Sequence, residues 1–294
     1  MKADFKCGYV IITGKPNVGK STLLNTLLGE KLSIVSSKPQ TTRLAIKGFY
    51  NDADSQIIFL DTPGFLKPRY EMHKLMLKQI TDTLKDADVV LFIIDFHDFP
   101  TAYDNELISL LKNVKRPIIA AVNKTDLKGM MSEAEILQYL ENDFDRVIFI
   151  SASNKINTDA IIPLLKSYMP YNPPFYDPEQ LSDLPMRFFA QEIIREGIFK
   201  QFKEEIPYAT AVIIDRYEEL QDKIVIHATI WIERSSQKPI IIGSKGTGLS
   251  KIRVYAETEC SNFNQKPTEI HLWVKIKANW RKNPSSLKEL GFRY

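Results

Sequence analysis

The sequence predicts a doubly wound α/β domain with a mostly parallel sheet, followed by a smaller α+β domain. Three observations predict this. Short, continuously apolar runs alternate with helix signals through the first two-thirds of the chain. A glycine-bearing segment, residues 14–21, joins the first apolar run to the first helix. Four prolines fall within residues 169–178, and the order of elements changes after them. Parallel strands covered on both faces read as unbroken apolar runs, whereas half-exposed strands alternate.

Taken in order, strands are expected at 10–12, 57–60, 89–94, 118–122 and 147–150. A helix over 20–28 ends at Gly29, since glycine accepts the left-handed conformation of a helix C-terminus. Ser132 and Glu135 form a capping box that opens a helix running to about residue 144. The proline-rich stretch suits neither helix nor sheet. Beyond it, a helix over 186–205 precedes strands at 209–216 and 223–233, joined by a polar turn at 218–222. A glycine loop, a helix and a strand from about 268 to 278 complete an α-β-β-α-β order. The expected division is therefore 1–168, a linker at 169–185, and 186–294.

Composition excludes several classes. Of 294 residues, 44% are hydrophobic and 26% charged, as in an ordinary globular protein rather than a disordered acidic chain. Lys and Arg total 39 against 36 Asp and Glu, a net charge of only +3, so a strongly basic coat protein is excluded. Two cysteines, Cys7 and Cys260, make no disulfide framework or CxxC motif. The longest apolar runs are far below the roughly 20 residues of a membrane span. The N-terminal residues lack the apolar stretch of a signal peptide, and a cytoplasmic location is expected. His73, His97, His227 and His271 stand singly, without zinc-site spacing. Asp95 is read as a structural cap, and Trp231 and Trp273 as core residues of strands. Trp280, beside Arg281 and Lys282, has base stacking as an alternative to packing.

The chemistry lies at the ends of the apolar runs. Gly14-Lys15-Pro16-Asn17-Val18-Gly19-Lys20-Ser21 matches GxxxxGK[ST] between a strand and a helix, with Thr22 following. The backbone of such a loop turns its N–H groups toward phosphates, and the helix N-terminus adds positive potential. Lys20 is positioned for the β- and γ-phosphates, and the Ser21 hydroxyl for Mg²⁺. Asp61-Thr62-Pro63-Gly64 follows the strand 57–60. Its carboxylate suits a water-mediated contact to Mg²⁺, and its Gly64 N–H suits a γ-phosphate. Asn123-Lys124-Thr125-Asp126 follows the strand 118–122. A carboxylate at Asp126 accepts from guanine N1–H and the N2 amine, which adenine does not offer. Ser151-Ala152-Ser153 is placed to close over the base.

These motifs, in this order and with Pro39-Gln40-Thr41-Thr42-Arg43, resemble the translation-factor-related GTPases, and the PQTTR segment is similar to the switch of the Era/TrmE group. The resemblance covers residues 1–168. It implies GTP and GDP as ligands and Mg²⁺ held by Ser21, Asp61 and one of the two threonines. Thr42 is taken as the ligand, with Thr41 the alternative. It implies catalysis by Lys20, Thr42 and Gly64, and a potassium ion beside Asn17. Phe65 stands where Ras-like enzymes carry a water-orienting glutamine, so slow intrinsic hydrolysis is expected. Switch loops are expected around 33–45 and 64–75.

Charge, once partitioned, also separates the domains. Residues 234–294 hold 12 basic and 4 acidic residues, a net +8, whereas residues 1–180 hold 21 and 22. Gly243-Ser244-Lys245-Gly246 lies in the basic part, ahead of a helical pattern. It fits the GXXG loop of a type II KH module, which clamps a nucleic-acid backbone. Lys251 and Arg253 add charge on the following helix.

The segments 188–196 (FFAQEIIRE), 205–209 (EIPYA) and 272–277 (LWVKIK), with Trp280 and 290–292 (LGF), look like the Era family over nearly the whole chain. That resemblance implies a monomer that binds single-stranded 16S rRNA near its 3′ end and acts in 30S subunit assembly and rRNA maturation, with peripheral association at the inner face of the cell membrane. The family commonly carries lysines and then Ile-Gly after GXXG. Here Gly248 and Ser250 take the early positions, and Lys251 and Arg253 restore charge nearby.

Overall fold

The computed structural model describes residues 4–36, 38–141 and 143–294. Ser37, in the expected switch loop, and Asn142, in the expected helix from Ser132, lie outside the described residues, as do the first three. The chain forms two units. The first comprises Met1–Ser33, Thr42–Pro68 and Met76–Asp183, and the second Ile34–Thr41, Arg69–Leu75 and Leu184–Tyr294.

The first unit holds a six-stranded sheet in the order β2-β3-β1-β4-β5-β6. The strands are β1 (Lys6–Thr13), β2 (Ile46–Asn51), β3 (Ser55–Asp61), β4 (Val89–Asp95), β5 (Ile118–Asn123) and β6 (Arg146–Phe149). All neighbours are parallel except β2, which runs antiparallel to β3. Successive residues of a strand face opposite sides. Ile11, Val90, Phe92 and Ile94 accordingly join one core cluster, and Val10, Ile12, Leu91 and Ile93 the other. The unbroken apolar runs thus reflect two buried faces. The helices are α1 (Lys20–Leu28), α2 (Glu71–Asp86), α3 (Ala102–Leu111), α4 (Glu133–Leu140) and α5 (Ile161–Tyr168). Helix α1 ends at Gly29 with φ 72°, as expected. Helix α4 opens on the expected Ser132/Glu135 box but ends at Leu140, a turn short of the predicted end.

Strand β2 is absent from the sequence-based reading. Its IKGFYN sequence carries no unbroken apolar run, because as an edge strand it is covered unevenly. The proline-rich segment has no helix or strand, as expected, yet it is anchored to the first unit. The Gln56 side-chain oxygen accepts from the Phe175 and Tyr176 N–H groups at 2.7 and 3.0 Å, and Tyr176 stacks on Phe49 at 4.1 Å.

The second unit contains α6 (Met186–Gln201), α7 (Ile206–Ala209), β7 (Ala211–Glu219), β8 (Ile224–Ile232), α8 (Gln237–Ile242), α9 (Thr247–Asn264), β9 (Thr268–Ile276) and α10 (Pro284–Glu289). Its sheet runs β7-β8-β9, with β8 parallel to β9. The alternating Ile224, Ile226, Ala228, Ile230 and Ile232 face a core that includes Ile194 and Ile198 of α6 and Ile252 and Ala256 of α9. The expected α-β-β-α-β order lacks three short helices, α7, α8 and α10. Helix α8 carries Ile240–Ile242, whose apolar run alone does not distinguish helix from buried strand.

Trp280 is fully buried and donates from Nε1 to the Ala209 carbonyl at 3.0 Å, so its ring packs rather than stacks a base. Trp231 is buried as expected. Trp273, expected in the core, is 52% exposed because it lies on the sheet face away from the helices. Buried Arg195 of α6 donates to Glu192 and to the Thr41 carbonyl oxygen.

Candidate functional site

Sheet order places β1 between β3 and β4, so connections leave it in opposite directions. The crevice at the carboxyl ends of strands at such a point is where α/β folds take ligands. All four sequence motifs sit there. Residues 14–19 follow β1, Thr62–Gly64 follow β3, Lys124–Asp126 follow β5, and Ser151–Ser153 lie two residues beyond β6.

The loop after β1 needs its glycines. Gly19 has φ 99°, and a Cβ there would lie 2.3 Å from Asn123 Nδ2. Asn17 also takes a left-handed conformation, φ 66°, which asparagine tolerates better than most residues. A Cβ on Gly64 would meet Pro16 Cα at 2.8 Å, so only glycine lets the segment after β3 pass this close to the loop. The Phe65 N–H donates to the Gly14 carbonyl at 3.1 Å and fixes that approach. The Phe65 ring is buried in the core and is used for packing.

Lys20 is buried and donates from Nζ to the carbonyls of Gly14 and Lys15 at 3.1 and 2.9 Å. Burial pushes its ammonium down to about 8, with the Asp61 carboxylate pulling the other way. Phosphates arriving here would restore the charge, so nucleotide binding should take up a proton above about pH 8. Calorimetry at pH 8.5, in two buffers of different ionisation enthalpy, is expected to show net proton uptake that fades at pH 7. Binding with no uptake at the higher pH would contradict this. The Lys15 side chain is committed elsewhere, to Asp98 at 2.7 Å and buried Asp104 at 2.9 Å, which leaves its backbone to the loop.

The structure brings Ser21, Thr42 and Asp61 together. Ser21 Oγ lies 2.9 Å from Thr42 Oγ1 and donates to Asp61 Oδ2 at 2.6 Å, and Thr42 Oγ1 donates to the same oxygen at 3.4 Å. Thr41 is not part of this group, because its hydroxyl donates to the Lys38 carbonyl at 2.6 Å. Burial pushes the Asp61 carboxyl upward, against the pull of Lys20 and of the Ser21, Ser33 and Thr42 hydroxyls. Two hydroxyls and a buried carboxylate form the oxygen donor set that a small hard cation takes, so these residues fit Mg²⁺. Thr62 instead donates from its hydroxyl to the Ile12 carbonyl at 2.8 Å and ties β3 to β1.

The base-side motifs divide their work. Asn123 Nδ2 donates to the Val18 carbonyl at 2.7 Å, and its Oδ1 accepts from the Ala152 N–H at 2.9 Å. It therefore latches the phosphate loop to the Ser151–Ser153 loop. Lys124 pairs with Asp95, which also accepts from the His97 N–H at 3.0 Å, so Asp95 is structural as expected. Asp126 is exposed, and one of its oxygens accepts from the buried Ser151 hydroxyl. That contact orients the carboxylate. Ser153 lies 3.3 Å from the same hydroxyl. Thr26, which the motifs do not include, holds the Ala152 carbonyl at 3.0 Å. Thr26 is half-buried on α1, and nothing in the local sequence marks its partner.

In the second unit, Gly243 and Gly246 flank a tight turn, with φ 73° and 80°, and Lys245 between them has φ 50°. Ser244 and Lys245 are exposed. A Cβ on Gly243 would meet the Gly248 nitrogen at 2.6 Å, whereas one on Gly246 meets nothing within 4 Å. A Cβ on Gly248 would lie 2.5 Å from the Ile241 carbonyl oxygen, so glycine there lets α9 pack on α8. A groove of about 440 Å³ runs between α9 and the edge strand β9, lined by Gly246, Leu249, Arg253, His271 and Trp273 among others. Arg253 lines it and also pairs with Glu257 at 3.2 Å. Lys251 is exposed on α9 but is not a lining residue of the groove.

Fold and site together define a guanine-nucleotide-binding protein of the phosphate-loop class, joined to a KH domain. Residues 9–124 match the 50S ribosome-binding GTPase family, and residues 205–281 match the KH domain family. The chain is 40% identical over 293 residues to the GTPase Era of Geobacter metallireducens, covering 98% of each. It is 41% identical over 292 residues to that of Clostridium perfringens, covering 98% of this chain and 99% of that one. The chain belongs to the GTPase Era family. Its fold is similar to a single-substitution variant of Aquifex aeolicus Era bound to GDP·AlF4⁻, with a TM-score of 0.93, 35% identity, and coverage of 99% and 100% of the two chains. It is similarly close to Era in complex with MgGDPNP and nucleotides 1506–1542 of 16S ribosomal RNA, with a TM-score of 0.92 and 35% identity over the same shares.

Proposed function

We propose that the chain binds and hydrolyses GTP at the carboxyl ends of β1, β3 and β5. We further propose that its KH domain takes single-stranded RNA near the 3′ end of 16S rRNA during assembly and maturation of the small ribosomal subunit. The observation that supports the first part most directly is the convergence of Ser21, Thr42 and Asp61. These residues would hold Mg²⁺, which supplies charge neutralisation at the β- and γ-phosphate oxygens. Lys20 exchanges its two loop carbonyls for phosphate oxygens. The N–H groups of residues 14–20 cradle the phosphates, and the Gly64 N–H and Thr42 sense the γ-phosphate. Asp126 reads guanine. A potassium ion beside the phosphates would take the side-chain carbonyl of Asn17 as a ligand and would supply further positive charge there. With Phe65 buried, no side chain at that position orients water, which supports a slow intrinsic rate.

The KH match, the open left-handed turn at 243–246 and the basic C-terminal part support the RNA half. So does the relative solved with a 16S rRNA fragment. Residues that bind GTP and residues that bind RNA are thermodynamically linked if the switch segments differ between nucleotide states, and such linkage is reciprocal. Peripheral membrane association extends the reading. Among the described residues, no helix is long and apolar enough to cross a membrane.

Gly246→Asp tests the RNA half cleanly. It places a carboxylate in open space where a phosphate would pass, whereas Gly243→Asp also collides with Gly248. The expected result is near-complete loss of binding to the 16S fragment, with GTP hydrolysis close to wild type and the melting temperature lowered only modestly, since Asp accepts a φ of 80° better than most residues. Liposome binding, if present, should survive. RNA affinity unchanged in Gly246→Asp would overturn the KH assignment.

A further inference from the structure

The outer face of the second unit's sheet carries an arrangement that GTP chemistry and the GXXG turn leave unused. Ile224, Ile226, Ala228 and Ile230 of β8 point into the core, so His227 and Thr229 occupy the opposite face. In register on β9, His271 lies beside His227, and Trp273 beside Thr229. His227 stacks on both other rings, and His271 and Trp273 are tilted to each other. His227 and His271 are 4.7 Å apart at 20°, His227 and Trp273 5.5 Å apart at 16°, and His271 and Trp273 6.2 Å apart at 35°. With Trp273 more than half exposed, the ladder presents a contiguous aromatic surface to solvent.

Two of these rings, His271 and Trp273, also line the groove between α9 and β9 that begins at Gly246. The aromatic ladder therefore continues the groove around the open edge of β9 onto the outer face. Charge on that face is mixed, so stacking rather than net charge would hold a ligand there. Lys275 is exposed beside Trp273. Of the carboxylates there, Glu218 pairs with Arg216, and Glu269 with Lys223 at 2.7 Å and His271 at 3.0 Å, while Asp215 accepts from the Thr229 hydroxyl at 2.7 Å.

We propose that His227, His271 and Trp273 form a nucleobase-stacking platform, which takes the bases of single-stranded RNA that follow those held in the GXXG groove. This rests on the KH domain binding RNA. A KH groove accommodates about four nucleotides, and a π-face accepts any base. The platform thus lengthens the bound segment without adding base selectivity of its own.

The test uses the full chain loaded with a non-hydrolysable GTP analogue and two probes, the 16S fragment 1506–1542 and tetranucleotides tiling it. Trp231 and Trp280 are buried, so emission changes on binding report Trp273. The long fragment is expected to quench this emission. Trp273→Leu should weaken its affinity by about 5- to 100-fold, and Trp273→Phe should recover most of that loss. His227 does not line the groove, so His227→Leu should weaken the long fragment but leave tetranucleotide affinity unchanged. Retained tetranucleotide binding also shows that the domain is folded. Wild-type protein that binds neither RNA would remove the KH reading itself, and the platform with it. Wild-type binding without quenching, with both leucine variants at wild-type affinity, would overturn the platform even if a protein were found on that face.

Discussion

Lys20→Ala is expected to lower GTP affinity by about 10²- to 10⁴-fold. The side chain is buried and its ammonium already has few partners, two loop carbonyls at 3.1 and 2.9 Å. Its charge is held at a desolvation cost that Asp61 and the two carbonyls offset only in part, so burial lowers its proton affinity to about 8, and an arriving polyphosphate offsets the rest. Removing one partner from a buried, hydrogen-bonded charge pair typically costs ~3–5 kcal/mol, which sets the expected range. The same substitution removes a buried charge from the nucleotide-free protein while leaving two carbonyls less satisfied. These effects oppose each other, so the melting temperature without nucleotide should stay near wild type. Titration with a fluorescent GTP analogue checks the first expectation, and wild-type affinity in the variant would refute the role of Lys20.

Asp126→Asn should change which base is read. A carboxylate presents only acceptors, matching the N1–H and N2 amine of guanine. The Ser151 hydroxyl holds this carboxylate in place, and the Ser151–Ser153 loop is itself fixed by Asn123 and Thr26. An amide in this position can turn one acceptor toward guanine but must point a donor at the other guanine donor. A site left with such a mismatch loses roughly 10²- to 10⁴-fold. Xanthine carries a carbonyl where guanine has its amine and accepts from the amide. Competition between GTP and XTP should therefore invert, with XTP preferred by the variant. A variant that still prefers GTP to a wild-type degree would show that the base is read elsewhere. Ser151→Ala should weaken GTP in the same direction but less, since it removes the orienting contact and not the acceptors.

How much of this was legible in the sequence depends on how far apart the interacting residues lie. The phosphate loop, the segment after β3 and the base motif are contiguous strings at strand ends, so their chemistry could be read directly. The division of labour inside them could not. Asn123 belongs to the base motif by position, yet its side chain joins Val18 to Ala152, partners 105 and 29 residues away. Lys15 belongs to the phosphate loop, but its ammonium is held by Asp98 and Asp104. Thr41 and Thr42 are indistinguishable as neighbours in a string. Only the fold turns one toward Ser21 and Asp61 and the other toward Lys38.

The fold followed the same rule. Strands buried on both faces announced themselves, and the edge strand β2 did not. Helix α8 was hidden because three isoleucines in a row fit a helix or a strand equally well. The tryptophans mark the limit most clearly. Trp273 and Trp280 are seven positions apart among similar basic neighbours, and one is exposed while the other is buried. Their difference arises from which sheet face β9 turns outward and from the Ala209 carbonyl that receives the Trp280 N–H.

The central claim joins a guanine-nucleotide switch to one RNA segment, and crosslinking tests it most directly. Full-length protein loaded with a GTP analogue is crosslinked to cellular RNA, and the contacts are mapped on both partners. The account predicts RNA crosslinks concentrated near the 3′ end of 16S rRNA, protein contacts around residues 243–253, and loss of both in Gly246→Asp. Enrichment of any other RNA, or of 16S sequence away from its 3′ end, would contradict it.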